Sequence, residues 1–497
     1  MIASFLLSSA LLAHLTAMTS AALPTLAPTL GTAPVAPVAP VAPVAPAEPA
    51  EPAEPVAPAD GSALALNPAF PESVLLDGLP RRAVLGASFT PASEDLLAGA
   101  ADGGLVVSQI SGRGSFRSEV WRDGDVLLGL GEHAITDMPT LGRALAEHRA
   151  GEVVSVQRWR NGVVQTLDVE LRPHPLTGFE GLRVEYGSVL AEGAPRRTLL
   201  TLPEGDGPHP AVLLIHGVGC FSLESGLGLA VYGGFAEDLA RRGYASLRVE
   251  KSSMGDSLGE PCMQIGFDTE VSGYRAGLAA LKADPRIDTE RVFLFGHSMG
   301  GIITALLAKD EPVAGYAVFG TGISHWIAYE INNLVDQSLM LNTPPELLDD
   351  YTQMRLRASY QLMELKRTPE EIIAEEPQLE GFLQSYPMSL RYFQEVYDIP
   401  KFATWKAADA PALVMWGTSD FVAKQRDHAI LAQVLETWRP GSVTHLELEG
   451  VDHHAAAAPD MLSAMRLMQQ PGGRPPAPAI LDALGSWLDE LSARDDG

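Results

Sequence analysis

From about Gly181 onward, short apolar runs alternate with stretches of helical spacing. Ala211-Val212-Leu213-Leu214-Ile215 is continuously apolar, the mark of a strand covered on both faces. Gly234 to Arg242 reads as an amphipathic helix, Ala245 to Val249 as a strand, and Gly273 to Leu281 as a helix. Arg291 to Phe295, Val313 to Phe319, Ala412 to Trp416 and Thr444 to Leu448 read as further strands. This alternation predicts an α/β fold with a doubly wound, mostly parallel sheet. Between Thr321 and Ala410 the pattern is helical and rich in Met, Tyr and Leu. An insertion of that length predicts a helical cap. Its Trp326, Tyr329, Tyr351, Tyr360, Tyr392 and Phe393 either line a pocket or form the cap's own core.

Residues 74–175 follow a different rhythm. Leu105 to Ile110 and Val126 to Leu130 are strand-like, and Leu141, Ala144 and Leu145 share a helical face. Val153 to Trp159 and Val163 to Leu171 flank Asn161-Gly162, a hairpin signal. The order predicts a small β-rich domain. It resembles a PDZ domain of the bacterial protease-associated kind, with Leu85-Gly86-Ala87-Ser88-Phe89 in the place of the carboxylate-binding loop. The resemblance implies capture of a peptide C-terminus by strand addition to a sheet edge. The loop departs from the usual Gly-Leu-Gly-Phe form, and the alternative is a docking or spacer domain.

Met1 to Leu12 is an apolar stretch too short for a good span, followed by the small residues Thr19-Ser20-Ala21-Ala22. Residues 1–22 therefore read as a secretory signal, although no Lys or Arg stands near the start. Residues 23–73 read as a linker whose Ala-Pro-Val and Ala-Glu-Pro steps favour extended polyproline II. The expectation is an exported protein, periplasmic or secreted, with no stable membrane span once the signal is removed. Lys and Arg number 35 against 62 Asp and Glu, a formal net charge of −27, which argues against nucleic acid or anionic lipid as partner.

The chemistry centres on Gly296-His297-Ser298-Met299-Gly300-Gly301, between a strand-like run and a helix-like one. That is the context of a G-x-S-x-G nucleophile elbow, with Ser298 at the apex of the turn. His216-Gly217-Val218-Gly219 follows the Ala211 strand and is placed to aim backbone N–H groups at an oxyanion. Val218 and Met299 are the expected donors. A serine needs a base, and the base needs a carboxylate to fix its tautomer. Asp420 ends the turn after the Ala412 strand, and His453 and His454 follow the Thr444 strand. Order together with placement just past a strand end favours Asp420 over Asp409 and Asp427, and the triad order favours His453, directly after Gly450-Val451-Asp452, over His454. His297 is read as a packing residue.

Taken together, these stretches and Arg248 to Gly259 resemble the α/β-hydrolase superfamily, in its esterase, dienelactone-hydrolase and serine-aminopeptidase-like branches. The resemblance covers residues 176–497. It implies a serine hydrolase acting on a small acyl substrate, an ester, through Ser298, His453 and Asp420. An aminopeptidase- or amidase-like activity, and a scaffolding protein with a vestigial hydrolase fold, remain as alternatives. No metal-ligand spacing and no Gly-rich phosphate or dinucleotide motif occurs, so neither metal nor cofactor is expected. In a sheet of this kind Cys220 and Cys262 lie on loops past adjacent strands, so an exported chain is expected to join them in a disulfide. Two small buried thiols are the alternative.

Overall fold

In the computed structural model the described residues are 75–76, 78–97, 102–470 and 472–494. The expected signal (1–22) and linker (23–73) lie outside them.

The smaller sheet contains β1 (Ser88–Pro91), β2 (Leu105–Ser108), β3 (Val126–Leu130), β4 (Val153–Arg160) and β5 (Val163–Glu170), in that spatial order. Helix α1 (Met138–Glu147) buries Leu141 and Ala144 against it. Asp137 and Thr140 cap α1 reciprocally, satisfying donors that the first turn leaves open. Asn161 and Gly162 both have positive φ and join β4 to β5 with Arg160 opposite Val163, the two-residue turn that matches strand twist.

The larger sheet has eight strands. Its strands are β6 (Arg183–Ala191), β7 (Ala194–Leu202), β8 (His209–Ile215), β9 (Ala245–Val249), β10 (Ile287–His297), β11 (Gly315–Phe319), β12 (Ala412–Gly417) and β13 (Val443–Leu448). The spatial order is β6-β7-β9-β8-β10-β11-β12-β13, with two antiparallel pairings at the β6 end and five parallel ones after them. The period of two along each strand divides the apolar runs between two cores. Val212, Leu214, Phe293, Phe295 and Leu413 enter one; Leu213, Ile215, Leu294, Val318 and Val414 enter the other. Helices cover both faces, so the fold is α/β, doubly wound and mostly parallel. The antiparallel β6–β7 hairpin, turned at Glu192-Gly193, is an element the sequence reading did not resolve.

Between β11 and β12 the chain forms α5 (Trp326–Met340), α6 (Pro345–Ser359), α7 (Pro369–Glu375), α8 (Leu390–Asp398) and α9 (Lys401–Ala407), among shorter turns. The helices α2 (Gly234–Arg241), α3 (Phe267–Ala283) and α4 (Met299–Asp310) precede them. Tyr351, Tyr392, Phe393 and Trp405 are buried in a core continuous with the sheet, whereas Tyr360 is exposed. Among the described residues no helix is long and apolar enough to cross a membrane.

Two covalent or ionic ties hold the loops at the C-terminal edge of the parallel strands. Cys220 and Cys262 form a disulfide with Cα atoms 5.8 Å apart, joining the loop after β8 to the loop after β9. Arg81, just before the small sheet, bonds Glu224 and Asp256 at 3.0 Å each, and the Arg82 N–H donates to Asp256 at 2.7 Å. The disulfide closes a separation of 42 residues, for which chain entropy gives at most about 4 kcal/mol. Replacing both cysteines by serine is expected to lower the unfolding free energy by up to that amount in urea titration. Thiol counting on the denatured, unreduced protein is expected to find none.

Candidate active site

Ser298 sits between the end of β10 and the start of α4 with φ 55° and ψ −123°, a backbone conformation L-residues rarely adopt. Close packing enforces it. A Cβ on Gly296 would lie 2.2 Å from Thr304 Oγ1, and one on Gly300 would lie 2.2 Å from the Ile215 carbonyl oxygen. Only glycine fits either place, and the tight turn lifts the serine out of the chain.

The turn after β12 ends at Asp420, whose Oδ1 accepts the N–H groups of Val422 and Ala423 at 2.8 Å each. Its Oδ2 accepts from His453 Nδ1 at 2.8 Å. His453 Nε2 lies 3.1 Å from Ser298 Oγ. Burial alone would raise the Asp420 carboxyl, but the facing His453, its hydrogen bond and the Ala423 N–H outweigh it, so the acid is held below its ordinary value. With Nδ1–H given to Asp420, Nε2 faces Ser298 as an acceptor, the tautomer a general base requires. The structure thus brings Ser298, His453 and Asp420 into one hydrogen-bonded line. Asp409 lies outside it, near Arg439, and Asp427 bonds Ser324 instead.

His453 is fixed from behind. Asp452 accepts the N–H groups of His454 and Ala456 at 3.0 Å each and pairs with Arg474, tightening the turn that carries His453. His297 does more than pack. Its Nε2 lies 2.6 Å from the His453 carbonyl, which only accepts, so Nε2 carries the proton. Nδ1 then accepts from the Tyr232 hydroxyl at 2.6 Å, and that hydroxyl accepts from Gly217 N–H at 3.1 Å. A single chain of hydrogen bonds therefore links the Gly217 turn, the turn at Ser298 and the loop that carries His453. Tyr232 escaped the sequence reading because no spacing marks it, and Asp452 enters that reading only as the neighbour of His453.

Val218 and Met299 both line the cavity at Ser298. Met299 is the first residue of α4, so its N–H has no acceptor within the helix. Gly217 approaches so closely that a Cβ there would lie 2.9 Å from Ser298 Cβ. Lys251 Nζ donates to the Gly217 carbonyl at 2.6 Å and pairs with Glu270 at 2.7 Å. Because Gly217 C=O and Val218 N–H belong to one planar peptide, holding the carbonyl fixes the direction of the N–H.

The cavity opens to solvent. From the cap, Trp326, Tyr329 and Lys401 reach it, and Phe421, Val422, Ala423 and Asp427 come from the acid loop and beyond. A neighbouring groove shares Val218, Phe221, Leu227, His454 and Met468 with it and continues to the exposed Gln469, Gln470, Gly472 and Gly473. Among the described residues no group of three or more His, Cys, Asp or Glu is arranged to hold a metal ion.

Burial pushes His297 and His454 down to about 3 from the ordinary 6.5, and lowers His216 and His428 as well. Below pH 6.5 the unfolded chain takes up protons that these native rings refuse. Stability is therefore lost as pH falls from about 6.5 toward about 3, by about 2 kcal/mol at pH 5 for a ring depressed this far. Glu250, pushed up to about 8 by burial, acts in the opposite sense between its ordinary 4.5 and 8. Glu270 and Asp452, also raised by burial, act with Glu250; four histidines oppose the three carboxyls, and the urea midpoint is expected to fall between pH 7 and pH 5. A midpoint that rises would assign the acid response to the raised carboxyls.

Residues 206–454 match the profile of the family described as "Serine aminopeptidase, S33", and residues 83–171 match that of the PDZ domain. Esterase EstD of Thermotoga maritima is 22% identical over 248 residues, 50% of this chain and 54% of that protein. Esterase FrsA of Citrobacter koseri is 30% identical over 164 residues, 33% of this chain and 36% of that protein. A probable periplasmic serine endoprotease, DegP-like, of Rhizobium meliloti is 29% identical over 119 residues, 22% of this chain and 23% of that protein. The chain thus spans about half the length, or less, of these relatives. Among solved structures, Est1E from Butyrivibrio proteoclasticus is 13% identical with a TM-score of 0.40, covering 62% of this chain and 99% of that one. The profile match spans half of the sequence and contains the elbow, the acid turn and the base, and the chain belongs to the serine aminopeptidase S33 family of α/β-hydrolases, with a PDZ domain before it.

Proposed function

We propose that this protein is an exported serine hydrolase that cleaves carboxylic esters. The observation that carries the reading is the line Asp420 Oδ2–His453 Nδ1, His453 Nε2–Ser298 Oγ, at 2.8 and 3.1 Å. Ser298 Oγ attacks the acyl carbonyl while His453 Nε2 takes its proton. The N–H groups of Val218 and Met299 hold the oxyanion. His453 then protonates the leaving alcohol. Water, activated by the same nitrogen, attacks the acyl-enzyme, and the acid departs with Ser298 restored. Asp420 orients the ring and stabilises its charged form. The esterase relatives support an ester over an amide; the description of the family supports an amide or short peptide as the second reading. The cap over the cavity disfavours large folded proteins as substrates.

Export is supported by the signal-like start, the disulfide and the periplasmic DegP-like relative. The PDZ domain is proposed to take a peptide C-terminus. Its β1 is an edge strand of the small sheet, open to strand addition.

Ser298→Ala is expected to abolish turnover of p-nitrophenyl esters and labelling by a fluorophosphonate probe. Asp420→Asn and His453→Ala are each expected to lower kcat by about 10³-fold or more. His454→Ala should cost far less than His453→Ala. A fully active His453→Ala would remove the base from this scheme, and absence of any Ser298 adduct in the parent protein would favour a scaffold.

A further inference from the structure

The cavity at Ser298 holds two buried charged groups that the reaction scheme does not use. Lys401, at the start of α9, is 9% exposed, and its ammonium donates to the Ser324 carbonyl at 2.7 Å. An ammonium has three donors, and no carboxylate of the described residues pairs with this one. Asp427, at the start of α10 (Gln425–Trp438), is 4% exposed and accepts from the Ser324 hydroxyl through Oδ1. Its Oδ2 faces Gly322, where even a Cβ would come to 3.3 Å, so no side chain covers that oxygen from this direction. Both residues line the same cavity as Ser298, with the Trp326 ring 5.7 Å from the ammonium. Burial draws the Lys401 ammonium down to about 8, with Asp427 opposing the shift. A buried ammonium with one acceptor is costly in an apolar pocket, and a ligand group that accepts from Lys401 offsets that cost.

The two arms of the cavity differ in the burial of the residues that wall them. The Lys401 arm is walled by the buried Thr321, Trp326, Val422 and Ala423, whereas the Phe221 groove runs out to exposed residues. In the two-step reaction the alcohol must leave while the acyl group stays on Ser298. The open groove therefore suits the alcohol and the enclosed arm suits the acyl group. A carboxylate at the end of that arm would meet Asp427, and an ammonium would meet Lys401. A neutral group that both accepts and donates satisfies both.

We propose that the enclosed arm is an acyl subsite for a chain or ring bearing a neutral hydroxyl or carboxamide, which accepts from Lys401 and donates to Asp427. The proposal rests on the esterase reading and names its substrate class. Two matched sets of p-nitrophenyl esters test it. One is aliphatic: heptanoyl, 6-hydroxyhexanoyl and adipoyl. The other is aromatic: 3-phenylpropionyl and its 4-hydroxy and 4-carboxy derivatives. In at least one set the hydroxyl member is expected to exceed both others in kcat/KM by at least tenfold. Lys401→Met should reduce the preference for hydroxyl over the unsubstituted member to under about threefold. Asp427→Asn should raise the carboxylate-to-hydroxyl ratio by at least tenfold. If Lys401→Met does not fold, the parent ratios and Asp427→Asn still decide. Preference for the unsubstituted or the carboxylate member in both sets overturns the subsite. Labelling of Ser298 by a fluorophosphonate without turnover of any ester overturns it too, and leaves the nucleophile standing. Neither labelling nor turnover sinks the esterase reading itself, and the subsite with it.

Discussion

At Gly300 the end of strand β8 and the start of helix α4 pass so close to one another that no side chain fits between them. The Ile215 carbonyl lies where a Cβ on Gly300 would be, and Gly217 lies against the nucleophile. This contact fixes the distance between the oxyanion turn and Ser298, and it forces the serine into its rare backbone conformation. Two cores, one on each face of the sheet, oppose its relaxation. Phe295 belongs to one and Leu294 to the other, both on the strand that delivers the elbow. The strain at Ser298 is therefore carried by packing on both sides rather than by any single bond.

Given that spacing, the remaining precision comes from polar groups that are buried and almost fully paired. Gly217 is held at both ends of its residue, N–H by Tyr232 and C=O by Lys251. His453 is held on its ring by Asp420 and at its carbonyl by His297. Burial makes these bonds strong and also makes each expensive to leave incomplete. A neutral His297 is needed for its two roles as donor and acceptor, and the same burial that isolates the site keeps it neutral. Stability toward acid is given up for this arrangement.

Much of this was legible in the sequence, and the reason is local. A glycine pattern around a serine, between a strand and a helix, encodes a turn within a few residues. Asn161-Gly162 likewise specifies its hairpin without help from the rest of the chain. Asp420 and His453 are far apart in sequence, but parallel strands deliver their ends to one edge, so order alone carries the information. What was hidden depends on meetings between segments that share no periodicity. Tyr232 reaches His297 across 65 residues, and Lys401 enters the cavity from a cap whose helices pack irregularly. The reading of His297 as a packing residue considered only its neighbour in sequence; its partners come from the turns and helices on either side.

The small domain joins this system through buried charge. Arg81 lies 4% exposed between Glu224 and Asp256, and Arg197 shares Asp256 from the large sheet. Buried pairs of this kind add little net stability, but removing one partner leaves an uncompensated charge at a cost of about 3–5 kcal/mol. Glu224 stands on the segment that follows the oxyanion turn, and the disulfide ties that segment to the loop that precedes α3. Undocking the small domain would therefore strip Arg81 from both carboxylates at once, within a few residues of the turn that carries Val218. Asp256 would retain Arg197, whereas Glu224 would keep the Tyr186 hydroxyl. Through Glu224 the small domain is thus joined to the segment that follows Val218.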